Sequence, residues 1–216
     1  VSFTFDDFPR SALSVGGTVL SKQGFSGTFY VSLSLMGRDS QEGPLFTFND
    51  LTQVLRDGHE LGCHTFDHCH AWETPPHVFE SSVEANRRAL SELVPGANFR
   101  TLSYPISGPR PATKQRMGAR FLGCRGGGQR IQHERVDLNY LRSYFLKQRP
   151  GENETVKQLV DRTIRENGWL ILSTHDIQPS PSPYGCTPDL FCDIVSYVAG
   201  TKDRALSIAK VLEFLS

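Results

Sequence analysis

The stretch Val1 to Arg10, VSFTFDDFPR, sets two aspartates, Asp6 and Asp7, directly after an alternating apolar run. A period of two reads Val1 to Phe5 as a strand, sends Phe3 and Phe5 to one face and leaves the acidic doublet at the carboxyl end. Strand carboxyl ends are where α/β barrels hold their chemistry. How the doublet is read depends on whether the rest of the chain supplies such a sheet.

Short apolar segments recur along the chain: FTF at 3 to 5, GTFYVSL at 27 to 33, ELGCHTF at 60 to 66, TLSYP at 101 to 105, FLGCRG at 121 to 126, YLRSYFL at 140 to 146, WLILSTHD at 169 to 176 and ALSI at 205 to 208. They imply seven or eight strands. FNDLTQVLRDG at 48 to 58 reads as a helix capped by Asn49 and ended at Gly58. HVFESSVEANRRALSELVPG at 77 to 96 is apolar at Val83, Leu90 and Leu93, with a Pro-Gly stop. The segment 152 to 169 repeats the scheme, with Val156, Leu159, Val160 and Ile164 on one side and Gly168 closing it. Alternating strand and helix predict an α/β fold with a largely parallel sheet, in open or barrel form. The Pro-rich IQPSPSPYGCTP at 177 to 188 reads as a loop after the strand that ends near Thr174.

The 216 residues fit one domain spanning 1–216. Lys plus Arg and Asp plus Glu both number 23, so no net basic charge is available to neutralise phosphates, and nucleic acid is excluded as a partner. The longest apolar runs, such as WLIL at 169 to 172, are far shorter than the ~20 residues of a membrane span. Five cysteines without a CxxC pair argue against a zinc ribbon and a disulfide framework; reduced thiols lean toward a cytoplasmic setting, although Cys186 and Cys192 are close enough in sequence to pair. The chain begins with Val and no charged-then-apolar leader precedes it, so its N-terminus reads as trimmed or processed.

GHELGCHTFDHCH at 58 to 70 places His64 and His68 four residues apart just beyond a strand. In a helical turn that spacing puts both imidazoles on one face, and neutral nitrogen ligands suit zinc. Thr65 stands where zinc proteases of the HExxH type carry their glutamate, so the general base must come from elsewhere. His59 and His70 read as surface residues or residues behind the ligands. LSTHD at 172 to 176 ends a buried-strand pattern on His175. In a parallel sheet Asp6, Asp7, His64, His68 and His175 share one rim. Two histidines and one carboxylate with an open position are what a hydrolytic metal needs. One aspartate of the doublet then binds the ion, and the other, kept ionised by it, accepts a proton from the attacking water, while His175 serves as the acid for a leaving nitrogen.

With TFDD at 4 to 7, HTFDH at 64 to 68, LSYPISG at 102 to 108 and the strand ending on His175, the chain resembles the polysaccharide deacetylase family, the NodB-homology domain of carbohydrate esterase family 4. The resemblance implies a distorted (β/α) barrel of seven or eight strands and removal of acetyl from an N-acetylated saccharide. It implies Asp6 as catalytic base, Asp7, His64 and His68 as ligands of a divalent metal (usually zinc, also cobalt or nickel), and His175 as the acid. In the family's third motif an arginine orients the base and a following residue's N–H holds the oxyanion; here Ser103 and Ile106 occupy those places. Ile106 can still supply the N–H. The arginine does not carry over, and Arg125, ending the FLGCRG strand, is the candidate to approach Asp6, ahead of Arg100. The aspartate and tryptophan that brace the family's catalytic histidine have no clear match near Asp137 or Tyr144. Asp176, adjacent to His175, would face the other side of the strand. Trp72 and Trp169 read as packing or rim residues, and Tyr104 and Tyr184 as pocket walls, Tyr184 on the loop that follows His175. The same fold could serve a small non-sugar amide, or bind carbohydrate without turnover; the intact Asp6, Asp7, His64, His68 and His175 speak against the second.

Overall fold

The computed structural model describes residues 1–201 and 204–215. Its strands are β1 (Ser2–Phe5), β2 (Thr28–Val31), the two-residue pair β3 (Asp39–Ser40) and β4 (Gly43–Pro44), β5 (Glu60–Cys63), β6 (Thr101–Ser103), β7 (Gly123–Arg125), β8 (Tyr144–Phe145) and β9 (Ile171–Thr174). A π-helical turn, Ala12–Gly17, runs into α1 (Thr18–Lys22); then come α2 (Phe48–Arg56), α3 (Pro76–Leu93), α4 (Pro111–Gly118), α5 (Glu152–Arg165), α6 (Pro188–Gly200) and α7 (Ile208–Leu215).

Seven strands form one sheet in the order β7-β6-β5-β2-β1-β9-β8, every pair of them parallel. The sheet curls into a distorted, incompletely closed barrel. Its edges are bridged by the segment that leads into β8: Leu141 N donates to Cys124 O at 2.7 Å, and Gly126 N donates to Leu141 O at 2.9 Å. The eighth strand expected at 205 to 208 does not form. Leu206 N donates to Val1 O, and Ile208 already begins α7.

Period-two alternation sorts the side chains as the sequence predicts. Phe3 and Phe5 face outward and meet Phe191 of α6, with ring centroids 5.5 and 5.9 Å away. Thr4 and Asp6 face inward. The barrel foot is closed by Leu141, Trp169, Ile171, Ile208 and Leu212. Above that plug the interior turns polar. Glu60 accepts hydrogen bonds from the hydroxyls of Thr28 and Thr101 and from Ala209 N–H at the start of α7. Burial pushes the Glu60 carboxyl up, and these donors offset part of that. Tyr30 lies above Glu60, and only a glycine fits beside it, because a Cβ on Gly62 would sit 2.3 Å from its ring.

Several local expectations are corrected. α2 is capped by Thr47 rather than Asn49: Asp50 accepts the Thr47 N–H at 2.8 Å and its hydroxyl at 2.7 Å. Ile164 is exposed, and Thr163 takes the buried side of α5 with Val156 and Val160. His59 is buried at the barrel foot, where Nδ1 accepts from Gly27 N at 3.2 Å. All five cysteines are free, so Cys186 and Cys192 remain separate thiols. No helix among the described residues is long and apolar enough to cross a membrane.

Candidate active site

The carboxyl ends of β1, β5, β6, β7 and β9, with β8, open into a cavity of about 550 Å³ lined by Asp6, Asp7, His64, His68, Arg125 and His175 among others. Adjacent residues of a strand point to opposite faces, so two neighbouring aspartates at one rim need a break in the backbone. Asp7 supplies it: its φ of 57° and that of Phe8, 50°, are left-handed, which turns the Asp7 carboxylate back toward the rim that Asp6 already faces. Thr65 (60°), His68 (52°) and Ile106 (68°) repeat this conformation around the cavity. Such clustering of costly backbone geometry marks functional sites.

The segment from His64 to His68 is not the helical turn anticipated from its spacing. It is a loop closed by Thr65 Oγ1, which accepts Cys69 N–H at 2.9 Å, and moored to α3 by Ser82, whose hydroxyl accepts the N–H groups of Phe66 and Asp67. The two imidazoles still converge, with centroids 5.0 Å apart. His64 Nδ1 lies 2.8 Å from Ser103 O. A carbonyl can only accept, so the proton sits on Nδ1 and the lone pair of Nε2 faces the cavity.

Asp7 Oδ1 lies 3.5 Å from His64 Nε2 and 3.1 Å from His68 Nε2. It is nevertheless a buried oxygen that no donor satisfies. An orphaned carboxylate oxygen facing two imidazole nitrogens, with one ligand atom from each residue within 4.8 Å of the others, fits a divalent cation. For His64, protonation favours the same reading: burial pushes its imidazole down to about 4, against the pull of Asp6, so it is a neutral donor at pH 7. Burial opposes ionisation of Asp7, but His68, His64 and His175 together hold its carboxyl well below the usual range. Burial also works against a charge on His68, yet the Asp7 carboxylate outweighs it and raises that imidazole.

Asp6 is buried and does not join the cluster. Its carboxylate is held through both oxygens by one guanidinium nitrogen of Arg125, which also bonds Ser103 Oγ, while the other terminal nitrogen donates to Ser143 Oγ at 3.0 Å. The guanidinium lies over the Tyr30 ring, 5.2 Å from its centroid. Burial alone would raise the Asp6 carboxyl; Arg125, then His64 and His175, hold it below the ordinary value. Arg100, the other candidate, pairs with Glu213 on the surface. Ser103, standing where the family pattern has its arginine, instead helps seat Arg125, which arrives from the next strand.

His175 Nε2 lies 3.7 Å from Asp7 Oδ2. Its Nδ1 is buried without a hydrogen-bond partner. The ring is fixed by aromatics: Phe145 meets it edge-on at 5.6 Å and Tyr184 tilts against it at 5.4 Å. Asp176 is no brace. It accepts from Ser182 N–H, Ser182 Oγ and Gln178 Nε2, and so shapes the loop that carries Tyr184. Tyr104 is nearly buried in the wall, its hydroxyl donating to Asn139 O, and Ile106 is exposed at the rim. His70 stays outside the cation cluster, 3.4 Å from Ser107 Oγ. The sequence reading missed Ser143 and Phe145, although alternation in YLRSYFL places Leu141, Ser143 and Phe145 on one face.

Fold and site define an α/β barrel with two histidines and one carboxylate grouped closely enough to fit a cation, and a separate Arg-held carboxylate, on its strand-end rim. The sequence pattern of polysaccharide deacetylases matches residues 1–125, more than half of the chain, and the chain belongs to that family, whose members hydrolyse amide or ester bonds. A gellan lyase from a Bacillus species is 25% identical over 157 residues, which is 73% of this chain but only 6% of that protein. Three solved structures share the fold at low identity. A family 4 acetyl xylan esterase from Clostridium thermocellum, in complex with a cobalt ion, superposes with a TM-score of 0.64 at 18% identity, covering 99% of this chain and 90% of that one. The peptidoglycan deacetylase PdaC of Bacillus subtilis gives 0.59 at 16%, covering 99% and 89%. A family 4 carbohydrate esterase from Streptomyces lividans, in complex with acetate, gives 0.58 at 15%, covering 93% and 88%.

Proposed function

We propose that this chain is a metal-dependent hydrolase that removes acetyl groups from an N-acetylated saccharide. The observation that carries the reading is the divided doublet: Asp7 faces two imidazole nitrogens with an unsatisfied oxygen, while Asp6, one residue away, is kept ionised by Arg125. Asp7, His64 and His68 would hold the ion, with zinc the best match to neutral imidazoles and cobalt or nickel also compatible. A divalent ion there supplies Lewis acidity toward the acetyl carbonyl and makes water easier to deprotonate.

The remaining steps belong to the chain itself. Asp6 accepts the proton of the water that attacks the acetyl carbon, and Arg125 fixes the carboxylate's orientation and charge. The N–H of Ile106, held in its left-handed conformation beyond Pro105, serves the developing oxyanion. His175 gives a proton to the sugar nitrogen as the C–N bond breaks, releasing acetate and a free amine. Tyr104 and Tyr184 wall the acceptor site, Tyr184 offering a ring face to a pyranose.

The test is acetate release by the metal-loaded protein from N-acetyl chito-oligosaccharides and peptidoglycan fragments, with acetylated xylan alongside to separate ester from amide hydrolysis. Release with formation of free amine is expected. No release from any N-acetyl sugar overturns the reading, and cleavage of a small linear or cyclic amide in its place would move the substrate outside carbohydrates.

A further inference from the structure

A second cavity of about 340 Å³ adjoins the first and shares Ser107, Gly108 and Tyr140 with it. Its remaining walls are Trp72, Pro109 and Lys114. The two are therefore one groove, which leaves the cation cluster past Ile106 and ends against an indole. Tyr140 occupies the junction only because two residues lack side chains. A Cβ on Gly126 would lie 2.3 Å from the Tyr140 ring, and one on Gly108 would lie 3.0 Å from its hydroxyl oxygen.

Trp72 is 55% exposed, an unusual setting for the largest apolar side chain. Its backbone is nevertheless anchored. Ala71 N donates to Pro105 O, and the Arg110 guanidinium donates to the carbonyls of Trp72 and Glu73. A solvent-facing indole on an anchored backbone, beside hydroxyl and ammonium groups, matches the two-sided chemistry of a pyranose, which presents C–H bonds on one face and hydroxyls around its edge.

Building on the deacetylase reading above, we propose that Trp72 and Tyr140 form a second saccharide subsite, so that the substrate is an oligosaccharide whose neighbouring sugar stacks on Trp72 while the acetylated unit occupies the cation site. A small amide or a monosaccharide would leave this half of the groove empty.

Two readouts test it. The chain has two tryptophans, and Trp169 is buried at the barrel foot with Nε1 donating to Ser2 Oγ, so a sugar in the groove changes Trp72 emission selectively. Stopped-flow fluorescence, read before turnover, is recorded with the N-acetylglucosamine tetramer and with the monosaccharide. The tetramer is expected to shift the emission of the wild type, and the shift is expected to vanish in Trp72→Phe. The second readout is the ratio of kcat/KM for tetramer to that for the N-acetylglucosamine monosaccharide, which cannot reach Trp72 from the cation site. It is expected to fall about tenfold in Trp72→Ala, the scale of one lost aromatic stack with its buried area, and to be largely retained in Trp72→Phe. A tetramer that leaves Trp72 emission unchanged, or a ratio unaltered in Trp72→Ala, overturns the proposal. Because emission does not require hydrolysis, an emission shift without acetate release would support the subsite while refuting the deacetylase reading.

Discussion

Replacing Arg125 by Met tests the assignment of Asp6 most searchingly. The side chains of this pair are 5% and 11% exposed, so solvent screens them little, and the guanidinium also serves Ser103 and Ser143. Removing one partner of a buried pair leaves an uncompensated charge, which costs about 3–5 kcal/mol. At about 3 °C per kcal/mol for a chain of this length, the midpoint of thermal unfolding should fall by about 9–15 °C. The cost should also depend on pH. In the wild type the Asp6 pKa is depressed, so its contribution is present above the unfolded value of about 4 and is lost as pH falls through the folded value. Without Arg125, burial is the largest influence left and outweighs the weaker pulls of His64 and His175, so the folded pKa is expected to move above the unfolded one and the sign to reverse: the variant recovers stability as pH is lowered. The difference between wild type and Arg125→Met, measured by thermal and urea unfolding with chelator present, should therefore shrink from pH 7.5 toward about pH 5. Asp6→Asn combined with Arg125→Met should recover at least half of the loss, since neither charge then remains. A loss below about 1 kcal/mol, or one independent of pH, refutes the reasoning.

Asp6→Asn alone, assayed at a temperature well below its lowered midpoint, should reduce acetate release by about 10²–10⁴-fold, the worth of a general base, while metal content by elemental analysis stays unchanged. His68→Ala should weaken zinc binding at least about a hundredfold in a competition titration with a chromogenic chelator, because it removes a ligand and not merely a group behind one. Glu60→Gln should gain on the wild type as pH rises. The folded pKa of Glu60 is raised by burial, so the wild type's contribution is present below the unfolded value and is lost as pH climbs through the folded one, which thermal melts between about pH 5 and 8 would record.

The three motifs that carry the site were legible because each ends a strand, and period two is a local property. That Phe3 and Phe5 share one face and Asp6 takes the other follows from alternation alone; which face is inward does not. Arg125 was reachable for the same reason, since it ends β7. What the sequence could not give is backbone that departs from its period. The left-handed Asp7 brings two adjacent carboxylates to one rim, and the left-handed Thr65 and His68 build a loop where four-residue spacing suggested a helix. Gly16 and Gly17, residues that usually weaken a helix, lie in the turn between β1 and α1. They are tolerated there because a Cβ on Gly16 would lie 2.7 Å from Ile177 Cδ1, so their small size lets that turn lie against its neighbours. The apolar ALSI at 205 to 208 looked like a strand, but Ser207 N and Ile208 N find the hydroxyls of Ser26 and Thr28, and α7 starts there to plug the barrel. Ser143 and Phe145 act across strands, and such partners become visible only once the register is known.

The central claim is that Asp7, His64 and His68 hold the ion on which amide hydrolysis depends. Acetate release from the N-acetylglucosamine tetramer should be measured on one preparation, stripped with chelator and then reloaded with zinc, cobalt or nickel. Release is expected to disappear on stripping, to return with about one ion per chain, and not to return in His68→Ala. Release that survives stripping, or that returns equally in His68→Ala, would contradict the claim.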